Sequence, residues 1–172
     1  MSLLSRLIRH NTDPRDSLRP LWHRVVEISR EKHWYADAHV ADSVAGRFDM
    51  ITTVLCFTLL RMEKDEALIA PSVLLTELFV EDMDGQLRES GVGDMVVGKH
   101  IGRLMSVLGG RLGAYREALA QADDSKLAEA ATRNVTLAPD AEPGQLAEVL
   151  RKLEADLAAM PAEALLEGQI TR

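Results

Sequence analysis

The sequence contains one cysteine, Cys56, and very few aromatic residues. A single cysteine cannot form a disulfide within the chain, which fits a reducing compartment. Aromatic residues make up only 4% of the 172 residues although 47% are hydrophobic, so the apolar content is mainly leucine, alanine, valine, isoleucine and methionine. This composition favours packed helices over a β-sandwich.

The sequence also lacks a basic surplus and a long apolar run. The formal net charge of −7 argues against a general nucleic-acid binder, because neutralising phosphates requires a basic surface. A helix that spans a bilayer needs about 20 apolar residues. The apolar run at residues 50–60 is shorter than that and is bracketed by Arg47, Asp49 and Arg61. It predicts the most buried helix of a bundle, with Cys56 as a structural thiol.

Residues 1–12 carry a stripe of leucine and isoleucine beside Arg6 and Arg9. No secretory apolar region with a small-residue cleavage site follows, so no export signal is predicted. As a short basic amphipathic helix, this segment could contact a membrane surface. Packing on its own domain or on a partner is the other interpretation.

Apolar residues recur with a period near 3.6 along most of the chain. The pattern predicts an all-α fold, a single-domain helical bundle with a C-terminal helical appendage. The predicted parts are an N-terminal amphipathic segment at 1–12, a helical domain at 13–133, and a linker with C-terminal helices at 134–172. Within the last part, residues 134–144 form the linker and residues 145–160 an amphipathic helix.

Helix starts and stops follow from capping residues and prolines. Asp13 with Pro14 begins a first helix, which Pro20 either kinks or properly starts. Residues 33–45 lack a clear period and predict a connecting loop. The other boundaries are Ser43 as the cap of the buried helix, Pro71 as the start and Gly91 as the end of the next one, and residues 94–121 as a helix after it.

The predicted helix at 94–121 contains several glycines. Gly98 and Gly102 are four residues apart and share a face, where a neighbouring helix could approach closely. A break near Gly109 and Gly110 is the other explanation, because each glycine costs up to about 1 kcal/mol inside a helix.

Residues 93–99 have the spacing G-x-x-x-x-G-K of a phosphate-binding loop. His100 stands where that loop needs a serine or threonine for magnesium, and no strand pattern precedes Gly93. The spacing therefore predicts a structural turn, and no residue pattern identifies a cofactor.

Acidic residues cluster at Glu81, Asp82 and Asp84. Positions two apart on a helix diverge, so Asp82 and Asp84 are poorly placed to chelate one metal ion, whereas Glu77, Glu81 and Asp84 share a face. Arg88 is predicted to pair with Asp84 four residues earlier. No serine has a histidine and acid partner by motif, so the sequence predicts no enzyme.

Three stretches together resemble a known family. They are Trp34-Tyr35, the residues Gly-Arg-Phe-Asp-Met at 46–50, and the run at 78–94 followed by Gly98-Lys99. They are similar to the ubiquinol–cytochrome c chaperone family, whose mitochondrial members are assembly factors for cytochrome b of the bc1 complex. The short N-terminus favours a bacterial member.

The resemblance implies a non-enzymatic assembly chaperone that binds newly made cytochrome b, or its synthesis machinery, during bc1 complex biogenesis. Its expected partners are cytochrome b or another bc1 subunit, and the ribosome; specific nucleic-acid binding is not expected. The expected location is the cytoplasm, with peripheral contact at the inner membrane. The alternative is a stand-alone helical scaffold or regulator that binds a soluble partner.

A partner surface is predicted from aromatic, methionine and charged residues. Trp34 and Tyr35 are expected to be exposed loop anchors, because aromatic residues dominate interface hot spots. Methionines at helical spacing are either an adaptable groove or ordinary core. The charged residues either bind a partner or form a salt-bridge network around the glycine turn. The predicted partner-binding residues are Trp34, Tyr35, Arg47, Asp49, Met50, Asp82, Met83, Asp84, Arg88, Asp94 and Lys99.

Overall fold

A computed structural model describes residues 13–89, 91 and 93–171, apart from the side chains of Asp94, Met95 and Pro143. The predicted amphipathic segment 1–12 lies outside these residues. A short 3₁₀ helix, Pro14–Leu18, precedes the α-helices, which are α1 Arg19–Ser29, α2 Lys32–Ala36, α3 Val44–Met62, α4 Glu66–Glu89, α5 Asp94–Leu119, α6 Ser125–Asn134, α7 Pro143–Ala158 and α8 Ala162–Leu166. Over these residues there is no strand, only an isolated bridge between Val40 and Leu137. The predicted all-α fold is confirmed.

Helix α3 is the centre of the bundle. All residues from 52 to 60 are buried, so the prediction of the most buried helix is confirmed. The Ser43 hydroxyl accepts a hydrogen bond from Gly46 N at 3.1 Å, which is the predicted cap. Gly46 cannot be replaced easily, because a Cβ there would lie 2.0 Å from the Ala41 carbonyl oxygen. Helices α1, α5 and α7 pack around α3 and bury its residues 52–60.

The 3₁₀ helix ends at Leu18 and α1 begins at Arg19, one residue before Pro20. Asp13 accepts a hydrogen bond from Arg15 N at 2.9 Å and caps the 3₁₀ helix, as predicted. Pro20 lies in the first turn of α1, so it begins this helix and does not kink it.

Helix α4 begins earlier than predicted. Pro71 is inside the helix, which starts at Glu66, so the prediction that Pro71 opens it is wrong. The Asp65 carboxylate accepts a hydrogen bond from Ala67 N at 3.0 Å, and Leu68 is fully buried in the core. These two contacts hold the first turn in place despite the donor that proline lacks. The end at Glu89 agrees with the predicted stop, since Gly91 has a φ of +81°.

Helix α5 runs without interruption from Asp94 to Leu119, so no break occurs at Gly109 and Gly110. A Cβ added at Gly98 or Gly102 would meet nothing within 4 Å. The predicted close approach of a neighbouring helix at these glycines is therefore wrong. The reason is that the buried residues of α5 lie on a different face of the helix from these glycines; they are Val97, Leu108, Tyr115 and Ala118.

The C-terminal residues pack on the same core. Ala41 N donates to the Thr136 carbonyl at 2.9 Å and Ala138 N donates to the His39 carbonyl at 2.8 Å, which fastens part of the predicted linker 134–144. Helix α7 packs on α3 and α6, and α8 contacts α1 and α4. The buried leucines of this part are Leu146, Leu150, Leu153, Leu157 and Leu165. The division at residues 133 and 134 stays a prediction.

Candidate functional site

The aromatic pair Trp34 and Tyr35 is not an exposed loop. Both residues lie on α2, where Trp34 is completely buried and Tyr35 is half-buried. The Trp34 indole N–H donates to the Ile28 carbonyl at 2.7 Å, and the Tyr35 hydroxyl donates to the Ser29 carbonyl at 2.8 Å. The prediction of exposed anchors is therefore wrong, and the predicted loop at 33–45 is confirmed only for residues 37–43, which lie between α2 and α3. Carbonyls at a helix C-terminus need outside donors, and these two side chains satisfy the end of α1.

Asp49 and its partners form a buried polar cluster, here called the Asp49 cluster. One carboxylate oxygen accepts a hydrogen bond from Arg111 Nη2 at 2.6 Å. The other accepts from Thr136 N at 2.9 Å and from the Thr136 hydroxyl at 2.7 Å. Arg111 also donates to the Thr52 hydroxyl. The side chains of Asp49 and Arg111 are only 12% and 11% exposed, so this ion pair is largely shielded from water.

The Asp49 cluster joins three parts of the chain: α3, α5 and the segment after α6. Sequence reasoning singled out Asp49 but not Arg111 or Thr136. The available signal was a carboxylate next to an apolar run, because a buried charge needs a partner. That signal does not say where along the chain the partner lies.

Arg47 points to a different surface from Asp49. It forms an exposed ion pair with Asp42 at 2.7 Å, and this hydrogen bond lowers the pKa of the Asp42 carboxyl. Arg47, Asp42 and Tyr35 line one shallow depression beside Arg30 and Lys32. The predicted salt-bridge network does not join Arg47 to Asp49.

The other predicted site residues on α4 and α5 are also spread out. Met83 is buried, whereas Asp82 is exposed beside Trp22 and His23. Asp84 accepts a hydrogen bond from Arg88 at 2.7 Å, which confirms the predicted pair. Lys99 is exposed on α5 and the Asp94 side chain is outside the description. The eleven predicted residues therefore form no single site, and their part in partner binding stays a prediction.

The methionines divide between core and surface. Met50 and Met62 are fully buried and Met83 is nearly so, which is the core interpretation. Met105 is 37% exposed and lies between α4 and α5.

A groove of about 810 Å³ lies between α4 and α5. Its apolar floor consists of Val73, Val80, Ile101 and Met105. Gly98 lies on one wall of the groove, which is shallow there because glycine has no side chain. Three carboxylates stand along it against one guanidinium; the four residues are Glu77, Glu81, Asp84 and Arg15. These carboxylates are the acidic face recognised in the sequence. The apolar floor was not identified there as a whole, because it combines residues of α4 with residues of α5.

Part of the acidic wall is already neutralised. Arg15 and Arg19 reach Glu81 at 3.4 and 3.6 Å, and Arg88 pairs with Asp84. Glu77 is exposed and has no ion pair within 4.0 Å among the residues that the structure describes. Arg15 and Arg19 also pair with Asp13 and Asp16, so they do not neutralise the wall completely. The α4–α5 groove is thus an exposed apolar channel with a modest negative surplus.

A second pocket, of about 370 Å³, lies where α3, α5 and α7 meet. Its charged groups pair with one another: Arg116 with Glu63 at 2.7 Å and Lys64 with Glu154 at 3.2 Å. Arg61 donates to the Leu157 and Met160 carbonyls. The polar groups of this pocket therefore hold helices together.

Features that would support catalysis are sparse. Burial raises the pKa of the Cys56 thiol to about 12, so it stays protonated at neutral pH. Gly98 and Lys99 are inside α5, which removes them from a phosphate-binding loop. Within the described part of the chain no three histidine, cysteine or acidic residues group as metal ligands, and no helix is long and apolar enough to cross a membrane.

Comparison with known families decides the classification. The model of the ubiquinol-cytochrome C chaperone family matches residues 36–172. This chain belongs to that family. The matched region includes the Asp49 cluster and the α4–α5 groove, but begins just after Trp34 and Tyr35.

A solved structure supports this family membership. The chain is similar to the crystal structure of the Cbp3 homolog from Brucella abortus, with 30% sequence identity and a TM-score of 0.76. The match covers 99% of this chain and 96% of that one. A comparison with curated proteins gave no match. The resemblance recognised in the sequence is confirmed.

Proposed function

We propose that this chain is a non-catalytic assembly chaperone that binds newly made cytochrome b, or the machinery that makes it, during bc1 complex biogenesis. The observation that carries this proposal is the match of the chaperone family over residues 36–172. The exposed α4–α5 groove supports it, because a client made of apolar helices needs an apolar surface to rest on. Ribosome contact and peripheral attachment to the inner membrane belong to the same proposal.

A deletion strain tests the proposal. Removing the gene should lower the amount of assembled bc1 complex while leaving cytochrome b transcripts unchanged. Another respiratory complex, measured in the same membranes, serves as the control for a general loss of membrane protein. Normal bc1 levels in the deletion strain would contradict the proposal.

A tagged chain isolated after a short pulse of labelled amino acids tests for the client directly. Labelled cytochrome b should be recovered with the chain, and ribosomal proteins should accompany it if binding begins during synthesis. Recovery of ribosomes without cytochrome b would favour the synthesis machinery as the partner.

The alternative function is a scaffold or regulator that binds a soluble partner. The burial of Trp34, Met50, Met62 and Met83 favours it, because these residues cannot offer a methionine and aromatic surface. The same isolation separates the two functions. A soluble protein recovered in stoichiometric amount, with cytochrome b absent, would favour the alternative.

A further inference from the structure

The α4–α5 groove has the shape and composition of a binding site for a helix. Val73 on α4 and Met105 on α5 are 55% and 37% exposed, although neither is at a chain end or in a loop. Ile69, one turn before Val73, is 47% exposed and extends the same face of α4. Two neighbouring helices that expose apolar residues along their shared side can accept the apolar face of a third helix.

Gly98 makes the groove accessible to a backbone. It lies on the groove wall, is exposed, and an added Cβ there would meet nothing within 4 Å. A glycine inside a helix weakens it by about 1 kcal/mol relative to alanine, so the position is costly for α5 by itself. Absence of a side chain lets an incoming helix approach α5 closely.

The charges of the groove specify the occupant further. Three carboxylates and one guanidinium line it, and Glu77 is the exposed carboxylate without an ion pair within 4.0 Å in the described residues. Such a wall attracts a segment that carries lysine or arginine and repels one that carries acids. Basic residues flank the cytoplasmic ends of transmembrane helices in membrane proteins generally.

We infer that the α4–α5 groove binds one amphipathic or membrane-terminal helix of a client protein, with its apolar face on Val73, Val80, Ile101 and Met105 and its flanking lysine or arginine beside Glu77. The inference deepens the proposed function by naming the partner segment and the surface that receives it.

The groove can be blocked without disturbing the fold. Gly98→Arg fills the wall with a long cationic side chain, and Gly110→Arg makes the same change on the opposite face of α5, away from Ile101 and Met105. Both positions are open, and arginine is a better helix former than glycine, so neither variant should lose helix content or melting temperature. The net charge of the two variants is identical, which makes Gly110→Arg a matched control.

A synthetic helix measures the binding. The probe is an 18-residue peptide with leucine on one face and lysine on the other, and its partner peptide has glutamate in place of every lysine. Fluorescence anisotropy should give a Kd for the lysine peptide at least tenfold lower than for the glutamate peptide. Gly98→Arg should raise that Kd about tenfold or more, which corresponds to about 1.4 kcal/mol. Gly110→Arg should change it less than about twofold.

A second pair of variants tests the charge. Glu77→Gln should raise the Kd of the lysine peptide by about two- to fivefold, a range that fits an exposed pair worth less than about 1 kcal/mol. Glu117→Gln, an exposed change on α5 outside the groove, should leave the Kd unchanged. Equal Kd values for Gly98→Arg and Gly110→Arg would overturn the inference.

Other occupants give different results. If deletion of residues 1–12 tightens peptide binding more than fivefold, the groove is occupied by the chain's own N-terminus. If the chain forms a dimer that Gly98→Arg dissociates, the occupant is a second copy. Either result would overturn the inference in favour of that occupant.

The same variants in the host separate this inference from the proposed function. Gly98→Arg should fail to restore bc1 levels in the deletion strain, while Gly110→Arg restores them. If the deletion lowers bc1 and Gly98→Arg restores it fully, the chaperone function stands and the groove inference fails. If the deletion leaves bc1 normal, the proposed function fails, and the peptide measurements alone decide the groove.

Discussion

The surroundings of α3 and the α4–α5 pair use their apolar residues in opposite ways. Residues 52–60 of α3 are all buried, whereas Ile69, Val73, Val96 and Met105 on the other two helices are between 37% and 55% exposed. Buried apolar side chains stabilise the fold, and contiguous exposed ones indicate an interaction surface. The comparison therefore separates residues that maintain the fold from residues available to a partner, and substitutions in the two regions should behave differently.

The largest effect is expected inside α3. Phe57→Ala should lower the free energy of unfolding by about 3–5 kcal/mol, because it leaves a cavity against Tyr115, whose ring is 5.2 Å away. Val73→Ala on α4 should change it by less than about 0.5 kcal/mol, as surface substitutions do. Urea unfolding measures both. Similar losses for the two variants would contradict the division between the regions.

The Asp49 cluster should be nearly as sensitive. Asp49→Ala should lower the free energy of unfolding by about 3–5 kcal/mol, because Arg111 would be left buried without its carboxylate. Asp42→Ala removes the exposed partner of Arg47 and should cost at most about 1 kcal/mol. A double change, Asp49→Leu with Arg111→Met, should recover only part of the loss, because apolar residues can replace a buried ion pair but the Thr136 N–H and hydroxyl still lose their acceptor. A double variant as unstable as Asp49→Ala would show that the loss has another cause.

An intermediate effect is expected at α2. Trp34→Phe keeps most of the buried ring but removes the N–H that donates to the Ile28 carbonyl. The Ile28 carbonyl keeps a hydrogen bond from Glu31 N at 3.1 Å, so the loss of the indole donor should cost about 0.5–1.5 kcal/mol in thermal or urea unfolding. Tyr35→Phe removes the hydroxyl that donates to the Ser29 carbonyl and should cost a similar amount. Two variants as stable as the unsubstituted chain would contradict a stabilising role for these hydrogen bonds.

The smallest effect at neutral pH comes from Cys56, whose thiol changes the stability only at alkaline pH. Burial raises the pKa of its thiol from 9.0 to about 12 in the folded chain, so the folded state holds the proton more tightly than the unfolded state. This contribution to stability is fully present below pH 9 and is lost as the pH rises from 9 toward about 12. Cys56→Ala should therefore lose less stability than the unsubstituted chain between pH 8 and pH 11 in urea unfolding. Equal losses would show that the thiol does not titrate differently in the folded state.

Sequence patterns predicted the local features of this fold well. The Ser43 cap, the Gly91 stop, the Asp84–Arg88 pair and the burial of residues 52–60 depend on neighbours within a few positions, which periodicity and capping rules describe. The membership of the chaperone family also followed from contiguous residues around 78–99.

The failures all involve contacts that a local pattern does not contain. Pro71 was taken as a helix start because the burial of Leu68 against distant helices is invisible in the sequence. Trp34 was placed in a loop because the sequence does not show the contact that holds α2 in place. That contact is the hydrogen bond from the Trp34 indole to a carbonyl of α1. Arg111 and Thr136 were missed because they lie 62 and 87 positions from Asp49. For the same reason the floor of the groove, which combines α4 with α5, could not be assembled from either helix alone.

The separation of the Asp49 partners along the chain has a consequence for synthesis. When α3 leaves the ribosome, its carboxylate has neither Arg111 nor Thr136 to pair with, so burying Asp49 at that moment would be strongly unfavourable. Arg111 emerges next and Thr136 later still, and only then can both oxygens of Asp49 be satisfied. Nascent chains that end before residue 111 should therefore remain sensitive to protease around α3, and those that extend well past residue 136 should become resistant together with the whole bundle.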